Sequence, residues 1–299
     1  MDILPANLYK YFGPSRRGIF IDWLIRFTQP GALNDPFEMR PHIAGYGTPE
    51  EVFEIAANKW EMHNEYEYGE FVKRSGNTIS YEDYRAGMEK HRLPMIHEAL
   101  AKSPEINTKM ARKIDEMMNT SVGILSLCAC HDSLLMWAHY GDSHRGFVVE
   151  FDTTSPFFKQ ERPPVHATAS EEEAAQFAEE YGRLRVVRYS DERPSVVVTK
   201  MSFDPLLTKG TPWKHEDEWR MLMPLDYADE KGPEHLGYPV CLFKIPPSAV
   251  TKIILGSNCN ADLVSYALSL RSRDETHHIA IEKARIDEEH FRLNFEPVE

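Results

Sequence analysis

"KHEDEWRMLM" (residues 214–223) sets Glu216, Asp217 and Glu218 at the mouth of an apolar segment. Read as a strand, the stretch sends alternate side chains to opposite faces. Trp219, Met221 and Met223 then share one face, expected to be core, while Glu216, Glu218 and Arg220 share the other. Two carboxylates on one face repel each other, and a single guanidinium offsets that only in part. The pattern fits a solvated strand edge, with Glu216 and Glu218 paired to Arg220 and Lys214. It equally fits a functional site.

Working outward, the chain repeats short apolar runs of strand length. "NLYKYF" (7–12), Leu24–Phe27, "SVGILSLCAC" (121–130), "RGFVVEFD" (145–152), "YPVCLFKIP" (238–246) and "VTKIILG" (250–256) all read as strands. "RLRVVRYS" (183–190) and "HIAIEKARI" (278–286) read the same way, and "HFRLNF" (290–295) closes the sheet. A short helix is expected over 131–142, capped by Asp132 or Ser133 and stopped at Gly141. Two more are expected over 170–182 and 260–273. Between residues 48 and 120 the texture changes to apolar residues at helical spacing, opened by Pro49 and two glutamates. The expectation is one α+β domain over 1–299 with a mixed, mostly antiparallel sheet, and 48–120 as a helical insertion within it.

The 299 residues are 42% hydrophobic and carry a formal net charge of −13. That composition supports a packed core and opposes sequence-independent binding to nucleic acid or to an anionic membrane. No basic-then-apolar leader opens the chain and no run approaches a membrane span, so a cytoplasmic protein is expected. Four cysteines, Cys128, Cys130, Cys241 and Cys259, show no small-domain disulfide framework. Cys128-Ala129-Cys130-His131 lacks both zinc spacing and a second pair, which favours cysteines acting as small buried hydrophobes. Phosphate-binding glycine loops, HExxH and GxSxG are missing, which argues against Rossmann, P-loop and nucleophile-elbow chemistry.

Two segments remain as candidate binding surfaces. On a helix, Met136, His139 and Tyr140 of "LLMWAHYGDSHRG" fall on one side, and Arg145 follows as a bidentate donor for phosphate or carboxylate. A plainer reading buries Trp137 and Tyr140 and satisfies His139 in the core. "NDPFE" (34–38) offers Asn34, Asp35 and Glu38, either as a capped turn set by Pro36 or as metal ligands.

"LYKYF", "ALNDPFE", "LCACHDSLLMWAHYGDSHRGFVVEFD" and "WKHEDEWRML", in that order, resemble the bacterial domain-of-unknown-function family 2971. The likeness runs over about residues 8 to 260 and is blank over 48–120. A second likeness is to ADP-ribosyltransferases, which carry a polar NAD-contacting residue on an early strand and a late Glu-x-Glu. It implies that Glu218 stabilises an oxocarbenium-like charge as nicotinamide leaves, and that Glu216 orients or deprotonates the acceptor. It further implies NAD as substrate, held by Tyr11 or Lys10, Asn34, Tyr140, His139, Arg145 and Arg220. The first strand, "YKYF", departs from the His or Arg common there, and the serine-threonine-serine strand of one transferase class is missing.

The resemblance thus implies an NAD-dependent ADP-ribosyltransferase-like enzyme, of the toxin or antiphage-effector kind, acting on a macromolecular acceptor. A non-catalytic ligand-sensing or protein-binding module built on the "MWAHY" and "NDPFE" surfaces is the alternative. A metal-dependent nuclease using Asp35, Glu38 and Glu218 is a third reading.

Overall fold

The computed structural model describes residues 3–38, 42–45, 49–76, 78–101, 103–160, 180–197 and 202–298. Its strands, in chain order, are β1 (Asn7–Phe12), β2 (Leu24–Phe27), β3 (His42–Gly45), β4 (Val122–Cys128) and β5 (Phe147–Asp152). Then come β6 (Leu184–Val186), β7 (Arg188–Ser190), β8 (Ser195–Val197), β9 (Thr208–Gly210) and β10 (Glu218–Pro224). The last are β11 (Glu230–His235), β12 (Tyr238–Lys244), β13 (Val250–Leu255), β14 (Ala280–Ile286) and β15 (Leu293–Pro297). Eight of them form one sheet in the order β15-β14-β13-β5-β1-β4-β10-β6, antiparallel throughout except for the parallel β13–β14 pair. The fold is therefore α+β with a mixed, mostly antiparallel sheet.

Period-two patterning sorts the sheet into two faces. Phe147, Val149 and Phe151 of β5 join Trp219, Met221 and Met223 of β10 in the larger core cluster. Helix α1 (Ile19–Asp22) adds Ile19 and Phe20 to it, and the three-stranded sheet β11-β12-β2 adds Ile25, Phe27 and Phe243. On the opposite face Tyr11, Cys128, Val148 and Ile254 pack with Met136 and Trp137 of helix α6 (Leu134–His139). Ser133 caps α6 by accepting from the Met136 N–H, as its position before an apolar run suggests.

Contacts divide the chain into two compact units. The first holds Met1–Met39, Met117–Glu192 and Phe203–Glu299, and with them the sheets above. The second holds Arg40–Glu116 and Arg193–Ser202. Within the second, α2 (Pro49–Ser75) packs with α3 (Tyr81–Met88) and α4 (Arg92–Ala101), and β3 pairs with β8. Trp60 and Ile96 are buried there, with the Arg92 guanidinium over the Trp60 ring. Helix α5 (Ser103–Ser121) leads out of this unit into β4. The helix expected over 170–182 lies largely outside the described residues. Asn260 caps α7 (Ala261–Leu268) where a helix was expected over 260–273. Among the described residues no helix is long and apolar enough to cross a membrane.

One irregularity of the large sheet positions everything that follows. Strand β1 pairs with β5 over its whole length, Asn7 to Phe12, but meets β4 only at Tyr9↔Cys128. The two central strands diverge beyond that point. Further along β4, Ile124 is bridged instead by Thr28, just past the end of β2. The main-chain edges of β1 and β4 thus part in the middle of the sheet, and the gap is lined by side chains rather than closed by a ladder.

Candidate functional site

A cavity of about 250 Å³ occupies this split. Tyr9, Lys10 and Tyr11 line it from β1, Ser126 and Cys128 from β4, and Arg26 and Thr28 from β2 and its end. Its charged floor is made of Glu38, Lys209, Glu216, Glu218 and Arg220. All five floor side chains are buried.

The floor is an interlocked ion cluster. The Arg220 Nε donates to Glu218 Oε1 at 2.7 Å and its Nη2 to Glu218 Oε2 at 2.9 Å, a two-pronged grip on one carboxylate. Arg220 also pairs with Glu38, and its Nη1 donates to the Leu206 carbonyl at 2.6 Å. The Lys209 Nζ pairs with Glu216, donates to Glu218 Oε2 at 3.1 Å and lies 3.8 Å from Glu38. Tyr140, at the end of α6, donates its hydroxyl to Glu216 Oε1 at 2.5 Å and accepts from Asn34 Nδ2 at 2.9 Å. Three carboxylates thus face two cations, and the cluster keeps a formal excess of one negative charge.

Burial and partners compete at each group. Burial pushes the Glu218 carboxyl up, and the Lys209 ammonium pulls it back. Burial works against the Lys209 charge, yet Glu218 and Glu216 hold it above the usual lysine range. Burial pulls Arg220 down to about 9, which leaves it protonated at neutral pH, with Asp35 opposing that shift. Burial likewise raises the Tyr140 hydroxyl, which also donates to Glu216. Lys10 falls to about 8, because burial outweighs the attraction of Glu218.

Local chain geometry brings Glu216 and Glu218 together by a route that strand alternation does not describe. Residues Thr211–Glu216 form a 3-10 turn, and Asp217 takes a left-handed conformation at φ 44° before β10 begins. Glu216 is therefore not on the strand face with Glu218 and Arg220, as expected from period two. The reversal at Asp217 swings it in beside them. A three-residue strand, β9, supplies Lys209, and the Tyr189 hydroxyl accepts the Glu218 backbone N–H at 2.9 Å.

Of the residues singled out from the sequence, Lys10, Tyr11, Asn34, Tyr140, Glu216, Glu218 and Arg220 line this one cavity. Two do not. Arg145 sits in the turn after α6, where Asp142, Ser143 and His144 all adopt positive φ of 50°, 55° and 64°. There it is exposed and closes on Asp142, with its Nη2 2.7 Å from Oδ1. The turn carries the chain to Gly146, where a β-carbon would collide with the Phe12 carbonyl, so the loop is committed to packing on β1. His139 is exposed on α6 and does not reach the cavity, because the helix buries Met136 and Trp137 instead.

The "NDPFE" residues separate as well. Asp35 caps the Phe37 N–H at 2.9 Å, whereas Glu38 enters the ion cluster. Glu38 and Glu218 are already held by Arg220 and Lys209. Among the described residues no group of three or more His, Cys, Asp and Glu side chains is placed to hold a metal ion. Cys128 is buried and free, with its thiol donating to the Cys130 carbonyl at 2.9 Å.

Sequence reasoning passed over Lys209 and Arg26. The signal for Lys209 was a lone lysine between "DPLLT" and "GTPW", and for Arg26 a single charge inside the apolar run "LIRF". Each is a cation in a segment otherwise built for burial, which calls for a partner or a ligand.

Comparison with curated proteins and with solved structures finds no match. A family model described as a protein of unknown function (DUF2971) matches residues 136–221, a segment that carries Tyr140, Lys209, Glu216, Glu218 and Arg220 and supports the family likeness drawn from the motifs.

Proposed function

We propose that the split between β1 and β4 is the active site of an NAD-using, ADP-ribosyltransferase-like enzyme. The observation that carries this reading is the buried Glu218. It opens onto a cavity at a broken strand pair and is held by Arg220 through both oxygens. A carboxylate so fixed needs no reorganisation to meet a positive charge that develops only in the transition state. In this reading the glycosidic electron pair leaves with nicotinamide, Glu218 stabilises the cationic ribosyl carbon, and the acceptor adds to that carbon. Glu216 takes the acceptor proton, and Tyr140 and Lys209 set the orientation of its carboxylate. The acceptor is macromolecular in this reading.

One observation favours the alternative of a ligand-binding module. Each carboxylate oxygen of Glu216 and Glu218 already has a partner in Tyr140, Lys209 or Arg220, as in a cluster that serves architecture alone. NAD titration by calorimetry, run beside chromatographic assay of released nicotinamide, separates the two. The transferase reading expects binding and release, with Glu218→Gln slowing release by roughly 100-fold while NAD affinity changes far less. Binding without release by the unmodified protein would favour the module, and no NAD binding at all would remove NAD from both.

A further inference from the structure

The first cavity, where cations and carboxylates are mixed, has a neighbour in which cations predominate. A second cavity, of about 500 Å³, shares Lys10, Arg26 and Thr28 with the first and adds Arg16 and His235. Its one carboxylate is Glu234, exposed on β11 and in no hydrogen bond or ion pair among the described residues. Among the described residues Lys10 makes a single hydrogen bond, to the Ser126 carbonyl at 2.9 Å. Arg26 is bound less well still, since its buried Nε and Nη2 have no hydrogen-bond partner among the described residues.

Such an arrangement is costly unless something completes it. A buried guanidinium N–H without an acceptor forfeits its hydration with no return. The three cations also oppose one another: burial lowers the proton affinity of Lys10 and Arg26, and Arg16 lowers both further. In a chain of net charge −13, acidic partners for them were abundant, yet among the described residues only the exposed Glu234 lines this cavity. What the site lacks is a compact acceptor carrying more than one negative charge, able to take two parallel N–H donors from Arg26 and a point charge from Lys10. A phosphoryl group has that chemistry, and a single carboxylate would leave two of the three cations uncompensated.

We propose that Arg26, Lys10 and Arg16 form a phosphoryl-binding subsite, continuous with the cavity over the ion cluster through Lys10 and Arg26. The protein would then take an elongated small molecule whose phosphate or diphosphate lies among these cations and whose uncharged or cationic end reaches Glu218. The subsite stands whether or not Glu218 is catalytic, since none of its residues belongs to the ion cluster.

Inorganic pyrophosphate is the probe, titrated by calorimetry at ionic strength matched with sodium chloride. The expected result is saturable binding, weakened at least about tenfold in Arg26→Gln, as for loss of a charged hydrogen-bonding pair. Exposed Arg16→Gln, which leaves the fold untouched, should weaken it by a smaller factor and guards against a misfolded Arg26 variant. Arg285→Gln, at an exposed pair with Glu296, should bind as the unmodified protein does. Glu218→Gln should also retain pyrophosphate binding, which keeps failure of the transferase reading apart from failure of the subsite. No saturable binding by the unmodified protein, or equal binding by Arg26→Gln and Arg16→Gln, would overturn the proposal and leave the space to water.

Discussion

The two ends of the split sheet carry charge in opposite ways. On the floor, Glu38, Glu216 and Glu218 meet Lys209 and Arg220, and each of these five groups has an oppositely charged partner within 4 Å. On the wall, Lys10, Arg16 and Arg26 line a cavity without a single ion pair among the described residues. Both ends sit in the same unit and border the same gap. The difference teaches how buried charge divides its work. Paired charge can be held permanently, because the partner offsets desolvation. Unpaired charge is tolerable only where water or a ligand completes it.

The sharpest way to break that contrast is to remove one arginine from each end. Arg220→Met leaves the three buried carboxylates to Lys209 alone, and the expected loss is about 3–5 kcal/mol by urea denaturation. Arg26→Met strands nothing and relieves repulsion among like charges, so it should stay within about 1 kcal/mol of the unmodified protein. Equal losses in the two variants would mean that Arg26 has an internal partner and that the two ends are alike.

A smaller effect tests whether Tyr140 belongs to the floor. Its hydroxyl links Asn34 to Glu216 and is half-buried. Tyr140→Phe keeps the ring and removes that bridge, for an expected cost of about 1–2 kcal/mol by the same measurement, the range for a hydrogen bond to a charged group. A cost near zero would show that Glu216 is oriented by Lys209 alone.

How much of this was legible beforehand differs between the ends too. The apolar face of β10 and the grouping of Glu218 with Arg220 follow from period two, so the floor announces itself in "EWRMLM". The caps Ser133 and Asn260 are equally local. Lys209 was not legible, because a three-residue strand has no periodicity to read. Strand β11, "EKGPEH", was missed for a related reason: its half-buried glycine and exposed proline and charges show no apolar alternation. The wall is hidden more deeply. Whether β1 pairs fully with β4 or parts from it after Tyr9 is a matter of register between segments more than a hundred residues apart, and no local pattern records it. Arg145 misled in the other direction: its bidentate chemistry was real, but the left-handed turn supplied Asp142 to use it locally.

The last test lies in a pH profile and concerns Lys10, which the two cavities share. Its ammonium loses its proton in the folded protein at about 8, against 10.5 for an ordinary lysine. Between those values the unfolded chain holds a proton that the native chain has released. Unfolding then takes up a proton, so this contribution to stability grows as pH rises through the window. It is fully present above 10.5 and lost as pH falls through 8. Urea unfolding of the unmodified protein and of Lys10→Met across this range isolates it, because other titrating groups act in both and largely cancel. The difference should move in favour of the unmodified protein as pH increases. Saturating pyrophosphate supplies the sharper version of the test. A bound anion stabilises the charged ammonium and draws its pKa back toward the ordinary value, so the slope between the two proteins should shrink. A slope that survives pyrophosphate undiminished, while pyrophosphate still binds, would remove Lys10 from the phosphoryl subsite and leave it to Glu218 and the floor.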